Sequence, residues 1–147
     1  MKVLRTYYIF LFSTVVICQE NEAIKYEDLY ERNGLIYASD QDTSFNGTVD
    51  ENWPTGIKKL SYTYKNGKPD SKWSDWFNNG QPKEEVEYIG GIKNGLHKQW
   101  YKNGQQKFER TYKNGTHDGK WTEWYENGQS MVEGNFLDGK PDGTWIY

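Results

Sequence analysis

The chain has 147 residues, a formal net charge of −3 and a pI near 5.4, enough for one ordinary domain. That balance gives no electrostatic reason to expect nucleic acid or an anionic membrane surface as partner. Aromatic residues make up 17% and apolar residues as a whole only 35%, which excludes a thick aliphatic core. The apolar area sits in rings, so a thin structure is expected, one sheet deep and with partly exposed rings.

Residues 1–18 differ in kind from the rest. Lys2 and Arg5 precede the uncharged run YYIFLFSTVVI at 7–17, and polar sequence follows from Gln19. This predicts a signal helix, a secretory signal peptide too short to span a bilayer. Val16 and Cys18 fill the small-residue positions before a cut at Gln19. Cys18, the only cysteine, has a second reading as the lipidated first residue of the mature protein. Ile17 stands where lipoprotein signals carry a small residue, which favours plain secretion. The expected location is therefore exported: periplasmic, secreted, or outer-membrane lipoprotein through Cys18. The mature chain has no transmembrane span and no internal disulfide in either reading.

Residues 19–44 read as a lead-in segment with a partial first unit, and residues 45–147 as a repeat domain. Tyr64, Tyr88, Tyr112 and Phe136 recur every 24 residues, which puts unit starts near 40, 64, 88, 112 and 136. In this register Gly47, Ser71, Gly95, Gly119 and Gly143 form one column, and Val49, Trp73, His97, Trp121 and Trp145 another. Eight of the fifteen glycines follow Asn and three follow Asp. Asn-Gly accepts the two positive φ values that a two-residue hairpin turn requires, so Gly67, Gly80, Gly104, Gly115 and Gly128 are read as structural turn residues. The stretch G-x-W-x-x-W-Y between turns is rich in strand formers. The fold expected is all-β: tandem 24-residue β-hairpin repeats forming an elongated antiparallel meander sheet. Strand alternation over 71–78 puts Trp73 and Phe77 on one face and Trp76 on the other.

The units YKNGTHDGKWTEWYENGQ at 112–129 and YKNGKPDSKWSDWFNNGQ at 64–81 resemble the bacterial variant of the MORN repeat, which recurs in proteins grouped as a YwqK-type antitoxin family. The resemblance covers residues 45–147, and residues 28–44 resemble the short lead-in unit of such chains. It implies a series of hairpins used as a binding or scaffolding surface, without catalysis and without a cofactor. Ser71 in the glycine column and His97 in the Trp column depart from the pattern, so the second unit is expected to be less regular.

Sites of chemistry are few. His97 and His117 read as a ring substitute and a turn residue, since a metal site would need further N or S ligands. Glu51, Asp75, Gln99 and Glu123 share a column and read as solvated strand tips balanced by lysines such as Lys72 and Lys120. Asp70, Asn94, Asp118 and Asp142 read as Asx-turn residues capping nearby backbone. No metal site is expected. The function expected is a non-enzymatic exported scaffold for a protein partner, using Trp76, Phe77, Trp100, Tyr101, Trp124 and Tyr125 as its binding stripe. The alternative is a cell-envelope glycan-binding protein using the same rings. The terminal stretch TWIY is a strand former at an open edge, which predicts self-association through residues from Gly143 on.

Overall fold

The computed structural model describes residues 24–39 and 41–147; the expected signal segment with Cys18 lies outside the described residues. A 3-10 turn at Tyr26–Asp28 leads into β1 (Leu29–Arg32) and β2 (Leu35–Ala38), a two-stranded sheet of their own. The main sheet follows with β3 (Gly47–Asn52), β4 (Lys58–Lys65), β5 (Lys68–Pro69), β6 (Ser71–Trp76), β7 (Pro82–Ile89) and β8 (Ile92–Trp100). It ends with β9 (Gln106–Lys113), β10 (Thr116–Trp124), β11 (Ser130–Leu137) and β12 (Lys140–Ile146).

All pairings are antiparallel, and the spatial order is the chain order: β12-β11-β10-β9-β8-β7-β6-β4-β3, with β5 also on β4. At about 4.8 Å between strands the row runs for roughly 40 Å. This is the all-β meander that the repeat pattern implies.

The two ends of the strands turn differently, although both are marked by Asn-Gly. At one end are two-residue turns: Asn66-Gly67, Gly90-Gly91, Asn114-Gly115 and Asp138-Gly139, with φ between 48° and 88° at every position. These fit the mirror-image turns that match strand twist. At the other end only Gly56, Gly80, Gly104 and Gly128 have positive φ, near 84°, and Asn79, Asn103 and Asn127 do not. There the Phe77 N–H donates to the Gln81 carbonyl and the Gly80 N–H to the Phe77 carbonyl, at 2.8 and 3.0 Å, and the same pair recurs at Tyr101 and Tyr125. These are three-residue loops closed by a bulged glycine. The two-residue reading therefore holds for Gly67 and Gly115 and is corrected for Gly80, Gly104 and Gly128. Asn79 stands there for its side chain, whose Oδ1 accepts the Gln81 N–H at 3.1 Å.

The strand alternation expected across 71–78 runs only as far as Trp76. Asp75 pairs with Glu84 but Trp76 with Pro82, so Lys83 is an extra residue on β7 and the bulge lies on that partner strand. Strand β6 ends at Trp76, and Phe77 belongs to the loop. The irregularity expected from Ser71 is present: Ser71 is held at φ 61°, and the chain breaks there into β5 and β6, whereas β8 and β10 run through the equivalent glycines. His97 causes no such break, since β8 is continuous across it.

The buried cluster Ala38, Phe45, Val49 and Tyr64 lies at the β3 end, with Ile24, Leu29, Ile36, Tyr62 and Trp73 packed around it. The lead-in is sewn to the first two-residue turn. The Gly67 N–H donates to the Phe45 carbonyl, and the Gly67 carbonyl accepts from the Ile36 N–H, both at 2.8 Å.

Candidate interaction surface

One face of the sheet carries a ladder of rings. Trp73 stacks on Tyr62 with centroids 4.3 Å apart and meets Tyr64 and Tyr88 at 5.1 and 5.2 Å. Farther along, Tyr112, His117, Trp121, Phe136 and Trp145 follow one another at 4.3 to 5.2 Å. Between the two runs Lys93 fills the step, its ammonium 5.3 Å from the Tyr112 centroid and 3.3 Å from His97 Nδ1. His97 takes the place of a ring and is buried, with Nε2 at 2.7 Å from Glu84 Oε1 and its plane edge-on to Phe108. Such ring pairs contribute roughly 0.5–1.5 kcal/mol each beyond their buried area.

The column Glu51, Asp75, Gln99 and Glu123 lies within this ring-bearing region and is not a row of solvated tips. All four residues are half-buried. Glu51 meets Lys59 at 2.6 Å, Asp75 accepts from the Tyr62 hydroxyl at 2.7 Å, and Glu123 pairs with Arg110. The Arg110 guanidinium is 4.0 Å from the Phe108 and Trp121 centroids, which places it between them. Burial lifts the Asp75 carboxyl above the ordinary carboxylate range, against the Tyr62 hydrogen bond that lowers it. The hydrogen bond from His97, opposed by burial, holds Glu84 below that range. Burial pushes the Tyr64 phenol up to about 12. Lys72 and Lys120, expected to balance the acid column, pair instead with Glu85 and Glu133 at 2.8 and 3.5 Å. Those pairs, with Lys98–Glu109 at 3.0 Å, form a charged row that alternation places on the opposite face. Exposed pairs of this kind contribute a few tenths of a kcal/mol each.

His117 is half-buried among Tyr112, Trp121 and Phe136, and its Nδ1 has no partner among the described residues. Burial first, then the Arg110 charge, lowers its proton affinity below the ordinary histidine value of 6.5. The unfolded chain therefore binds the proton that the folded chain refuses, and stability falls as pH drops through 6.5. The urea midpoint is expected to decrease from about pH 7 to about pH 5, and His117→Phe to remove part of that decrease. Glu84 contributes in a lower window, since its stabilisation is lost only as pH falls through its depressed value.

The expected binding stripe lies where the strands enter the three-residue loops. Trp76, Trp100 and Trp124 close β6, β8 and β10 and are half-buried. Phe77 and Tyr101 are half-buried in the loops, while Tyr125 is 50% exposed. The rings tie one loop to the next: Trp53 Nε1–H donates to the Trp76 carbonyl at 3.2 Å, and the Tyr101 hydroxyl to the Trp124 carbonyl at 3.1 Å. Asn79 Nδ2 reaches the Lys102 carbonyl and Asn103 Nδ2 the Glu126 carbonyl, at 3.0 and 3.1 Å. Lysines lie over the rings, Lys58 over Trp76 and Lys107 over Tyr101, both 5.7 Å from the centroid.

Two of the expected Asx-turn residues, Asp70 and Asn94, together with Asn46 of the same column, act across units and not on the backbone that follows them in sequence. Asn46, Asp70 and Asn94 each accept, through Oδ1, the N–H of a residue twenty positions on: Asn66, Gly90 and Asn114, at 2.7, 3.1 and 3.0 Å. The signal in the sequence was the column itself, which keeps an acceptor there whether Asp or Asn.

A comparison with curated proteins finds no match. Residues 69–89, 93–114 and 118–138 match the family model described as MORN repeat variant, and the chain carries three tandem repeats of that kind.

Proposed function

We propose that the chain is a non-enzymatic scaffold that binds a partner protein through Trp76, Phe77, Trp100, Tyr101, Trp124 and Tyr125, as an antitoxin holds its target. Repeats of this kind are generally modules that bind proteins or membranes. The observation that carries the reading is the recurrence of a half-buried Trp followed by a second aromatic ring at every three-residue loop from Trp76 to Tyr125 of a single-layer sheet. Half-buried rings, and Tyr101 with its hydroxyl held on the Trp124 carbonyl, lose little freedom on binding, which suits them to recognition.

The partner would be met outside the cytoplasm if residues 1–18 act as a signal. N-terminal sequencing of the exported chain is expected to begin at Gln19, and a lipid adduct on Cys18 would replace that start. Strand β12 offers an outer edge to a further strand, so the solution mass is expected to fall when the chain is cut before Gly143.

The direct test is capture of partners from a cell-envelope extract, identification by mass spectrometry, and titration of the purified partner. Tyr125→Ala with Phe77→Ala is expected to weaken binding by about tenfold or more. An unchanged affinity removes the stripe from the reading. Quenching of the Trp fluorescence by polysaccharides, with no polypeptide partner retained, would establish the glycan reading in its place.

A further inference from the structure

The four two-residue hairpin tips stand in a row at the opposite strand ends from the ring stripe. Their flanking residues are Lys65 and Lys68, then Ile89 and Ile92, then Lys113 and Thr116, then Leu137 and Lys140. All eight are exposed, Ile89 at 62%, Ile92 at 51% and Leu137 at 56%. Four lysines stand against two acids, Asp138 in the fourth tip and Asp70, whose Oδ1 accepts the Gly90 N–H of the second, which leaves this edge cationic in a chain whose net charge is −3.

The second tip is the odd one. Gly90-Gly91 replaces Asn-Gly, and isoleucine replaces lysine on both flanks. An Ile92 methyl rests near Gly115 of the third tip, but half or more of each isoleucine stays exposed, so burial among the described residues accounts for the pair only in part.

The spacing of the row is fixed by the sheet. The Gly91, Gly115 and Gly139 N–H groups donate to the Pro69, Lys93 and His117 carbonyls of the preceding tip at 2.7 to 2.9 Å. Successive tips lie two strands apart, about 10 Å, which a polypeptide in the extended polyproline II conformation covers in one turn of three residues, so that every third side chain faces the same way.

We propose that this edge docks an extended acidic polypeptide segment whose acids face the first and third tips and whose apolar side chain seats on Ile89 and Ile92. Charge complementarity selects the acids, and the cationic, apolar, cationic order of the tips sets their register. The pattern recognised is acid, two residues, apolar, two residues, acid. A bilayer fits less well, because the chain as a whole carries a net charge of −3, which an anionic membrane surface repels. The edge is separate from the ring stripe, so either surface can fail without the other.

The test is fluorescence-anisotropy titration of the full chain with a labelled peptide Glu-Ser-Ser-Leu-Ser-Ser-Glu and with a permuted peptide of the same composition. The ordered peptide is expected to bind roughly tenfold tighter than the permuted one, and to weaken with salt. Ile89→Ser with Ile92→Ser is expected to erase the preference, and Lys65→Glu with Lys113→Glu to abolish binding. The two double variants read the site independently, and near-ultraviolet circular dichroism reports whether each is folded. Equal affinity for both peptides, or binding of neither, overturns the proposal. Co-sedimentation with phosphatidylserine–phosphatidylcholine vesicles that the same variants abolish overturns it in favour of a membrane-facing edge.

Discussion

Trp73→Ala is expected to lower stability by about 3 kcal/mol, the low end of the range for truncating a core Trp, because Trp73 is partly buried. Trp73 is where three rings and a hydrogen bond converge. It stacks on Tyr62, meets Tyr64 and Tyr88 at 5.1 and 5.2 Å, and its Nε1–H donates to the Thr63 carbonyl at 2.8 Å. Alanine there opens a void between β4 and β7 and leaves the Thr63 carbonyl without its indole donor. Tyr62 also loses its stacking partner, although its hydroxyl still donates to Asp75. The matched control is Trp76→Ala, at a strand end with a lysine over its ring, for which about 1–2 kcal/mol is expected. Urea unfolding followed by far-ultraviolet circular dichroism measures both. Equal losses would mean that the ladder is not what holds neighbouring hairpins together.

The second large effect is expected at Gly67. Its φ is +71°, and a Cβ built there would lie 2.9 Å from the Ile36 carbonyl oxygen and 3.0 Å from Leu35 Cβ. The backbone conformation alone costs a non-glycine residue about 1–2 kcal/mol. The contact with β2 backbone cannot be relieved by turning a side chain, so Gly67→Ala is expected to cost about 3 kcal/mol and to push the lead-in off the sheet. Gly34→Ala has nearly the same φ, +75°, with open space around it, and isolates the conformational part at about 1 kcal/mol. Limited trypsin digestion reads the displacement, because Lys25 and Arg32 lie in the lead-in. Faster cleavage at those two sites in Gly67→Ala, and not in Gly34→Ala, is the expected pattern. Identical cleavage in both would show that the lead-in does not depend on this turn for its place.

Much of the fold was legible because each repeated position answers a backbone demand that only one or two residue types meet. Positive φ at 67, 91, 115 and 139 calls for glycine, and those columns set the register from which strand order follows. The two kinds of Asn-Gly were not distinguishable by letters. In one the asparagine contributes its left-handed backbone, in the other its side-chain oxygen, and the choice depends on whether the loop carries an extra residue. The acid column was misread for a related reason. Its partners Lys59, Tyr62 and Arg110 are set by a pairing register that contains bulges, such as the one at Lys83, and a spacing count does not reveal these. The stripe residues were found as rings, but the hydrogen bonds that tie Trp53 and Tyr101 to the next loop's carbonyls were not. The clue lay in the shared spacing of about one unit between donor and acceptor.

Strand order that copies chain order also governs how such a sheet comes apart. Each main-sheet strand of the meander bonds only to its immediate predecessors and successors, so no closure of a long loop is needed to form any pairing. The clasped β3 end, with most of the buried cluster, is the natural place for assembly to begin, and hairpins then add one after another. Tension applied between the chain ends would run the same film backwards. It would peel strands singly from the β12 side, so the molecule would yield in small steps at low force instead of rupturing all at once.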